Sequence, residues 1–341
     1  VAEVEHKPAR ANSDSSASPD QPDRFQVLAL DGGGVKALFT ADVLARIEED
    51  LGVSIRDSFD LIAGTSAGGI IALALGAGFS PVEIIQLYQD LSTKVFPASR
   101  RRIYRLPYTL LRSIYQQEPL RLALEGLFED RLLGDSDKRL VIPSWDAQSG
   151  SVHIFKTRHH ARLNRDWRIR MVDVALATTA APVYLPAAQV DGHRLIDGGV
   201  WANNPSVVAI TEATSVLDVP LSSIRVLNIG TTSALADHPR ALDNAGWGRW
   251  ALRAPELIIA AGSNGTQGLA THLLGRERYV RFDATVPRGA FSLDRASSRD
   301  LAGLAAKASR DLSPTFTSIF GGHTATPFHP PATKTQTREL Q

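Results

Sequence analysis

Hydrophobic positions along this chain alternate between short unbroken runs and helical spacing. Phe25-Gln26-Val27-Leu28-Ala29-Leu30 is a short apolar run that stops at Asp31-Gly32-Gly33-Gly34, which predicts a buried strand. Leu38, Val43, Leu44, Ile47 and Leu51 then recur as one helix face, and Gly52 stands where that helix should stop. Asp60-Leu61-Ile62-Ala63 reads as the end of a second buried strand, and 69–75 as an apolar helix. Pro81 opens a further helix with Val82, Ile85 and Leu91 among its apolar positions. Another helix is predicted from Pro119 to about Asp130, strands over 139–142 and 152–155, and a helix over 172–179. Arg194-Leu195-Ile196 leads into Asp197-Gly198-Gly199, a helix starts near Pro205, and Arg225-Val226-Leu227-Asn228-Ile229 is a buried strand ending in Gly230. Beyond about 235 the pattern is mainly helical, with one short strand near 279–282.

Strands alternating with helices predict an α/β fold of three layers: a mostly parallel central sheet with helices on both faces, followed by a mainly helical C-terminal extension. Residues 1–24, rich in Ser, Asp, Pro and Ala, read as a disordered leader, and 321–341, rich in Pro, Thr and His, as a flexible tail. The folded unit is then 25–320, with a core over 25–230 and a helical part over 235–320.

Composition narrows the chemistry. Of 341 residues, 43% are hydrophobic and 21% charged, as in an ordinary globular protein, and the formal net charge of +1 supplies no global field toward a nucleic acid polymer. There is no cysteine, which excludes disulfides, thiol catalysis and cysteine-ligated metals.

Gly64-Thr65-Ser66-Ala67-Gly68 lies between a strand and a helix. So abrupt a reversal strains the central residue, and flanking glycines relieve the crowding around it. Such an elbow presents the Ser66 hydroxyl at the sheet edge, above a helix amino end that favours developing negative charge. A competing reading is a membrane helix, because 61–79 carries no charge and Gly64 and Gly68 are spaced as in packed membrane helices. The glycines, serine and threonine within it weaken that reading.

Asp31-Gly32-Gly33-Gly34, the elbow and Asp197-Gly198-Gly199 each follow an apolar strand. Loops at the carboxyl ends of parallel strands gather along one sheet edge, so the three corners are expected to meet. Consecutive glycine amides can hold an oxyanion, and loss of one such donor raises the barrier by on the order of 3 kcal/mol. Gly32-Gly33-Gly34-Val35-Lys36-Ala37 also fits a dinucleotide fingerprint, which keeps open a dinucleotide-binding module. Ser66 needs a base. The candidates are a histidine or a bare carboxylate. His153 would alternate on a strand, His193 precedes one and His159-His160 lie in an arginine-rich loop, settings in which a histidine is more often an exposed surface residue. Asp197 instead closes a strand beside Leu195, Ile196 and two glycines, a setting that raises its pKa by desolvation.

Taken together, Asp31-Gly32-Gly33-Gly34-Val35-Lys36, Gly64-Thr65-Ser66-Ala67-Gly68 and Asp197-Gly198-Gly199 resemble the three signatures of patatin-like phospholipases. Ala180-Ala181-Pro182-Val183-Tyr184-Leu185-Pro186 and Asn203-Asn204-Pro205 extend the likeness over roughly 25–230. The resemblance implies a cofactor-free and metal-free lipid acyl hydrolase of the A1/A2 type. In it Ser66 is the nucleophile, Asp197 the base, and Gly32, Gly33 and Gly34 the oxyanion hole, with Asp31, Lys36, Gly64, Gly68, Gly198 and Gly199 supporting the motifs. Ala37 departs from the final glycine frequent in the fingerprint. An acyltransferase using the same acyl-enzyme is the alternative outcome of this chemistry.

The run 25–39, Phe155-Lys156-Thr157-Arg158-His159-His160, and Asp173-Val174-Ala175-Leu176-Ala177-Thr178 are similar to bacterial phospholipase effectors of cyclic-oligonucleotide antiphage signalling. That likeness implies a cyclic dinucleotide activator, a cytoplasmic enzyme acting peripherally at the inner face of the membrane on its phospholipids, and a helical C-terminal part that serves regulation or homo-oligomer formation. The stretch 99–115 holds five arginines, among them Arg100, Arg101 and Arg102, three tyrosines and no acid. It suits an anionic lipid surface, the phosphates of a cyclic dinucleotide, or a plain solvated face.

Overall fold

The computed structural model describes residues 24–95, 112–234, 244, 246, 254–287 and 290–330. Its strands are β1 (Phe25–Leu30), β2 (Leu61–Gly64), β3 (Arg139–Asp146), β4 (Ser151–Lys156), β5 (Ala188–Val190), β6 (His193–Asp197), β7 (Ile224–Ile229), β8 (Ser233–Ala234), β9 (Tyr279–Phe282) and β10 (Thr285–Val286). The helices used below are α1 (Ala37–Leu51), α2 (Ile55–Ser58), α3 (Ala67–Gly76), α4 (Pro81–Lys94), α5 (Glu118–Phe128), α6 (Met171–Thr178), α7 (Gly199–Ala202), α8 (Ser206–Ser215), α9 (Ala254–Leu274) and α10 (Ser298–Ile319).

An eight-stranded sheet runs in the order β5-β6-β3-β2-β1-β7-β9, with β4 also on β3. β1, β2, β3, β7 and β9 are mutually parallel, whereas β4, β5 and β6 join by antiparallel pairing. The central strands are apolar on both faces because both are covered. Leu28, Leu30, Ile62, Leu140 and Leu227 face a core built with α1, α3, α6 and α10. Val27, Ala29, Leu61, Ala63 and Val226 face the opposite one, against Ala209 and Ala213 of α8 and Ala270 and Leu274 of α9. α1 ends at Gly52, whose φ of 64° is the left-handed stop its position predicts.

The C-terminal helices complete these layers. Leu301, Ala305, Leu312 and Phe316 of α10 are buried, and the Phe316 ring meets Phe59 edge-on at 6.2 Å. Truncating Phe316 to alanine would cost about 3–5 kcal/mol. α4 differs from its sequence reading. Val82 is exposed, and Ile84 and Tyr88 enter the core in its place.

The segment expected as a tail from 321 is packed over its first residues. His323 Nε2 lies 2.7 Å from Asp60 Oδ2, the Thr326 amide donates to Asp60 Oδ1 and the Ala325 amide to the Asp57 carbonyl. The uncharged stretch 61–79 is split between β2 and α3. Among the described residues no helix is long and apolar enough to cross a membrane.

Candidate active site

The elbow takes the form its glycines demand. Ser66 sits at φ 55°, ψ −125°, between the end of β2 and the start of α3. Such a conformation costs a non-glycine residue roughly 1–3 kcal/mol and persists only where its surroundings hold it. They do so here. The Ser66 amide donates to Thr178 Oγ1 at 2.9 Å, and that hydroxyl donates to the Pro143 carbonyl at 2.6 Å. A Cβ on Gly64 would stand 2.2 Å from the Gly68 carbonyl oxygen, and one on Gly68 would stand 2.4 Å from that of Leu30. Both positions therefore admit only glycine.

Asp197 arrives from the opposite direction to the one the glycine corners suggested. Val141 of β3 pairs with Ala63 of β2 and Lys156 of β4, and Ser144 pairs with Asp197 of β6 and His153 of β4. A strand has two edges. β4 therefore takes one edge of β3, and β2 and β6 share the other, β2 running up it and β6 running back. Their carboxyl ends converge head to head. An apolar run before Asp-Gly-Gly carries no sign of strand direction, so the parallel reading of this corner is corrected. Gly198 permits the junction, since a Cβ there would lie 2.3 Å from the Pro143 carbonyl oxygen.

At that junction Ser66 Oγ donates to Asp197 Oδ2 at 2.6 Å. The other oxygen, Oδ1, accepts the Gly199 amide at 2.6 Å, and the Asp197 amide donates to the Ala180 carbonyl at 3.0 Å. Both residues are buried, Ser66 9% and Asp197 6% exposed. Burial pushes the Asp197 carboxyl up to about 6, against the opposing pull of the Ser66 and Gly199 hydrogen bonds.

The three corners are laced together. Thr65 bonds through its amide to the Leu30 carbonyl and through its hydroxyl to that of Ala202. The Gly32 amide donates to the Asn203 carbonyl at 3.1 Å, so it is already committed and the row of three free glycine amides is corrected to two. The amides of Gly33 and Gly34 have no protein acceptor among the described residues. Cβ atoms on these two would stand 2.0 Å from Thr231 Oγ1 and from the Leu293 carbonyl oxygen respectively. That Leu293 carbonyl also accepts the Val35 amide and so occupies the helix start that a dinucleotide pyrophosphate would need.

Beneath the loop lies a buried polar network that sequence reading missed. Asp31 accepts from Asn228 Nδ2 at 2.7 Å and from Arg281 Nη1 at 2.8 Å, and Arg281 Nη2 reaches Asp283 at 2.9 Å. Burial pushes the Asp31 carboxyl up to about 6, offset first by Arg281 and then by Asn228. Asn228 and Arg281 lie inside short strand runs, where only a polar residue amid apolar neighbours could have flagged them. Lys36 donates from Nζ to the Thr232 carbonyl at 3.1 Å.

The histidines serve elsewhere. His159, expected in an exposed loop, is buried with Nε2 2.9 Å from Glu212 Oε1 and Nδ1 2.9 Å from Thr157 Oγ1. His193 Nδ1 lies 2.9 Å from Asp146 Oδ2, and the His153 ring meets Phe155 edge-on and His193 at a tilt. Arg100, Arg101 and Arg102 lie outside the described residues. Among the described residues no group of three His, Cys, Asp or Glu is placed to hold a metal ion.

Residues 28–210 match the family model of patatin-like phospholipases. The chain belongs to that family. As a patatin-like phospholipase it is a lipid hydrolase, which displaces the dinucleotide-module reading of the glycine loop. It is 35% identical to a cGAMP-activated phospholipase of Pseudomonas aeruginosa, over 80% of this chain and 83% of that protein. Identity is 33% to one so named in Vibrio cholerae, over 83% and 89%, and 34% to one in Escherichia coli, over 86% and 90%.

Proposed function

We propose that this patatin-like phospholipase cleaves acyl esters of membrane phospholipids in the A1/A2 manner, with Ser66 as nucleophile and Asp197 as general base. A cyclic dinucleotide such as cGAMP switches it on. The observation that carries the chemistry is the 2.6 Å hydrogen bond from Ser66 Oγ to a buried Asp197. As Ser66 Oγ bonds to the ester carbonyl carbon, Asp197 Oδ2 takes its proton. The oxyanion faces the uncommitted Gly33 and Gly34 amides and the amino end of α3. The C–O bond to the glycerol oxygen then breaks, that oxygen takes the proton from Asp197, and the lysolipid leaves. Water attacks the acyl-serine as Asp197 accepts its proton, the fatty acid departs, and Ser66 Oγ recovers a proton from Asp197.

Three curated relatives, all named cGAMP-activated and matched over most of their length, support the switch. Action at the cytoplasmic membrane face and self-association of the chain belong to the same proposal. Fatty-acid release from phospholipid vesicles, with and without a panel of cyclic dinucleotides, tests it. Release with cGAMP and none from Ser66→Ala is the expected result. Release independent of every cyclic dinucleotide overturns the switch, and release by Ser66→Ala overturns the nucleophile. Light scattering on the same samples reads any change of assembly.

A further inference from the structure

Three uncharged stretches are tied directly to the Ser66–Asp197 site, and each turns large aliphatic side chains out to solvent, the first two one apiece and the third three, Ile258, Leu269 and Leu273. Residues 180–189, 198–211 and 257–275 contain no Asp, Glu, Lys or Arg. The first is anchored by the Ala180 carbonyl on the Asp197 amide and exposes Val183, at 62%. The second is anchored by the Gly199 amide on Asp197 Oδ1 and exposes Val200, at 37%. The third is anchored through Ser263 of α9, which accepts from Asn203 Nδ2 at 3.0 Å, while the Asn203 carbonyl holds the Gly32 amide. Ile258 lies on that helix about 7.5 Å toward its amino end by the α-helical rise, and is 59% exposed.

An exposed aliphatic residue standing singly needs no explanation. Here Val183, Val200 and Ile258 lie in segments that are each hydrogen-bonded to the site and free of the charges that normally keep a surface wet. Val183 adds a second observation. A β-branched residue at φ 74° is a backbone outlier. It is held there by the Ile114 amide on its carbonyl and the Tyr115 amide on that of Tyr184. The chain thus keeps an unfavourable backbone at a point where the side chain gains no core contact.

We propose that Val183, Val200 and Ile258 form an apolar collar that seats the mouth of the site on a phospholipid bilayer. Seating aliphatic side chains at the headgroup–acyl boundary gains from burial, and the lack of ionised groups in the three segments avoids the cost of desolvating charge. The collar rests on the reading that the substrate is a phospholipid held in a membrane.

The test uses the full chain with cGAMP and mixed phosphatidylethanolamine–phosphatidylglycerol vesicles. Binding is read by co-sedimentation in a Ser66→Ala background, so that it does not depend on turnover. Val183→Asp and Ile258→Glu are suitable changes, because Asp tolerates positive φ and Glu favours an exposed helix position. Combined, they should weaken vesicle binding and vesicle hydrolysis about tenfold or more, and change hydrolysis of a soluble short-chain ester less than about twofold. Unchanged vesicle binding overturns the collar, as does an equal loss on vesicles and soluble ester. Loss of an oligomer by light scattering with vesicle binding intact also overturns it, and makes the face a self-association surface. A collar that fails this way leaves wild-type vesicle hydrolysis standing. A failure of the phospholipase reading itself shows instead as absent hydrolysis by the wild type.

Discussion

Arg281 donates from Nη1 to Asp31 Oδ2 at 2.8 Å, joining two residues 250 positions apart. Asp31 closes β1 and opens the glycine loop, whereas Arg281 lies on β9, beyond the stretch that matches the family model. The C-terminal third therefore reaches under the loop proposed to carry the oxyanion donors. Both side chains are buried, so removing one leaves the other uncompensated. Arg281→Ala is expected to lose about 3–5 kcal/mol by chemical denaturation. Arg281→Lys should rescue little, because an ammonium cannot serve Asp31, Asn228 and Asp283 through one planar fork. Pairing Arg281→Gln with Asp31→Asn removes both charges and should recover part of the lost stability.

Asp197 sets the expected pH dependence. Its carboxyl is pushed from an ordinary 3.8 up to about 6 by burial. Only the ionised form accepts a proton from Ser66, so kcat/KM on a soluble ester should rise through a limb near pH 6 and then level off. A rate flat between pH 5 and 8 would remove Asp197 as the base.

The same carboxyl makes an opposite prediction for stability. As pH rises from about 4 to about 6, the unfolded chain has released a proton that the folded chain still holds, so stability falls through that window. The penalty is fully present above about pH 6. Asp197→Asn should therefore melt at a higher temperature than the wild type at pH 8, by about 1–3 kcal/mol of stability. The gain should shrink as pH falls toward 4. Thermal unfolding of both proteins across that range checks the sign.

Much of the site was legible because its steric demands fall on glycine. Gly64 and Gly68 are fixed by backbone approaches that no side chain survives, and the strained serine between them follows from the same packing. Short, largely unbroken apolar runs likewise marked β1, β2 and β7. The course of β6 was not legible, because an apolar strand reads the same in either direction. Arg281 and Asn228 were hidden for a related reason: their partners arrive from remote strands, and no local pattern records that. His159 looked exposed among arginines, although Glu212, 53 residues on, draws it into the interior.

That buried histidine supplies a contrast with the dyad. Glu212 bridges His159 and Lys156, with its own carboxyl held below the usual range: burial opposes this, but the His159 and Lys156 hydrogen bonds outweigh it. Glu212→Gln should cost about 3 kcal/mol of stability, since Lys156 is left without its counter-charge. At a temperature where the variant is folded, its kcat on a soluble ester should stay within about twofold of the wild type, far short of the loss expected for a catalytic base. A loss of kcat with the fold intact would draw this histidine into the chemistry.

The most direct measurement compares phospholipid hydrolysis by Ser66→Ala and Asp197→Asn with that of the wild type, all with cGAMP and all shown to be folded by circular dichroism. Each variant alone should lose a factor on the order of a thousand or more in kcat, and the double variant should lose little beyond that, because two groups acting as one unit are not additive. Asp197→Asn retaining activity within about tenfold of the wild type would contradict the dyad, since a general base supplies about 10²–10⁴-fold.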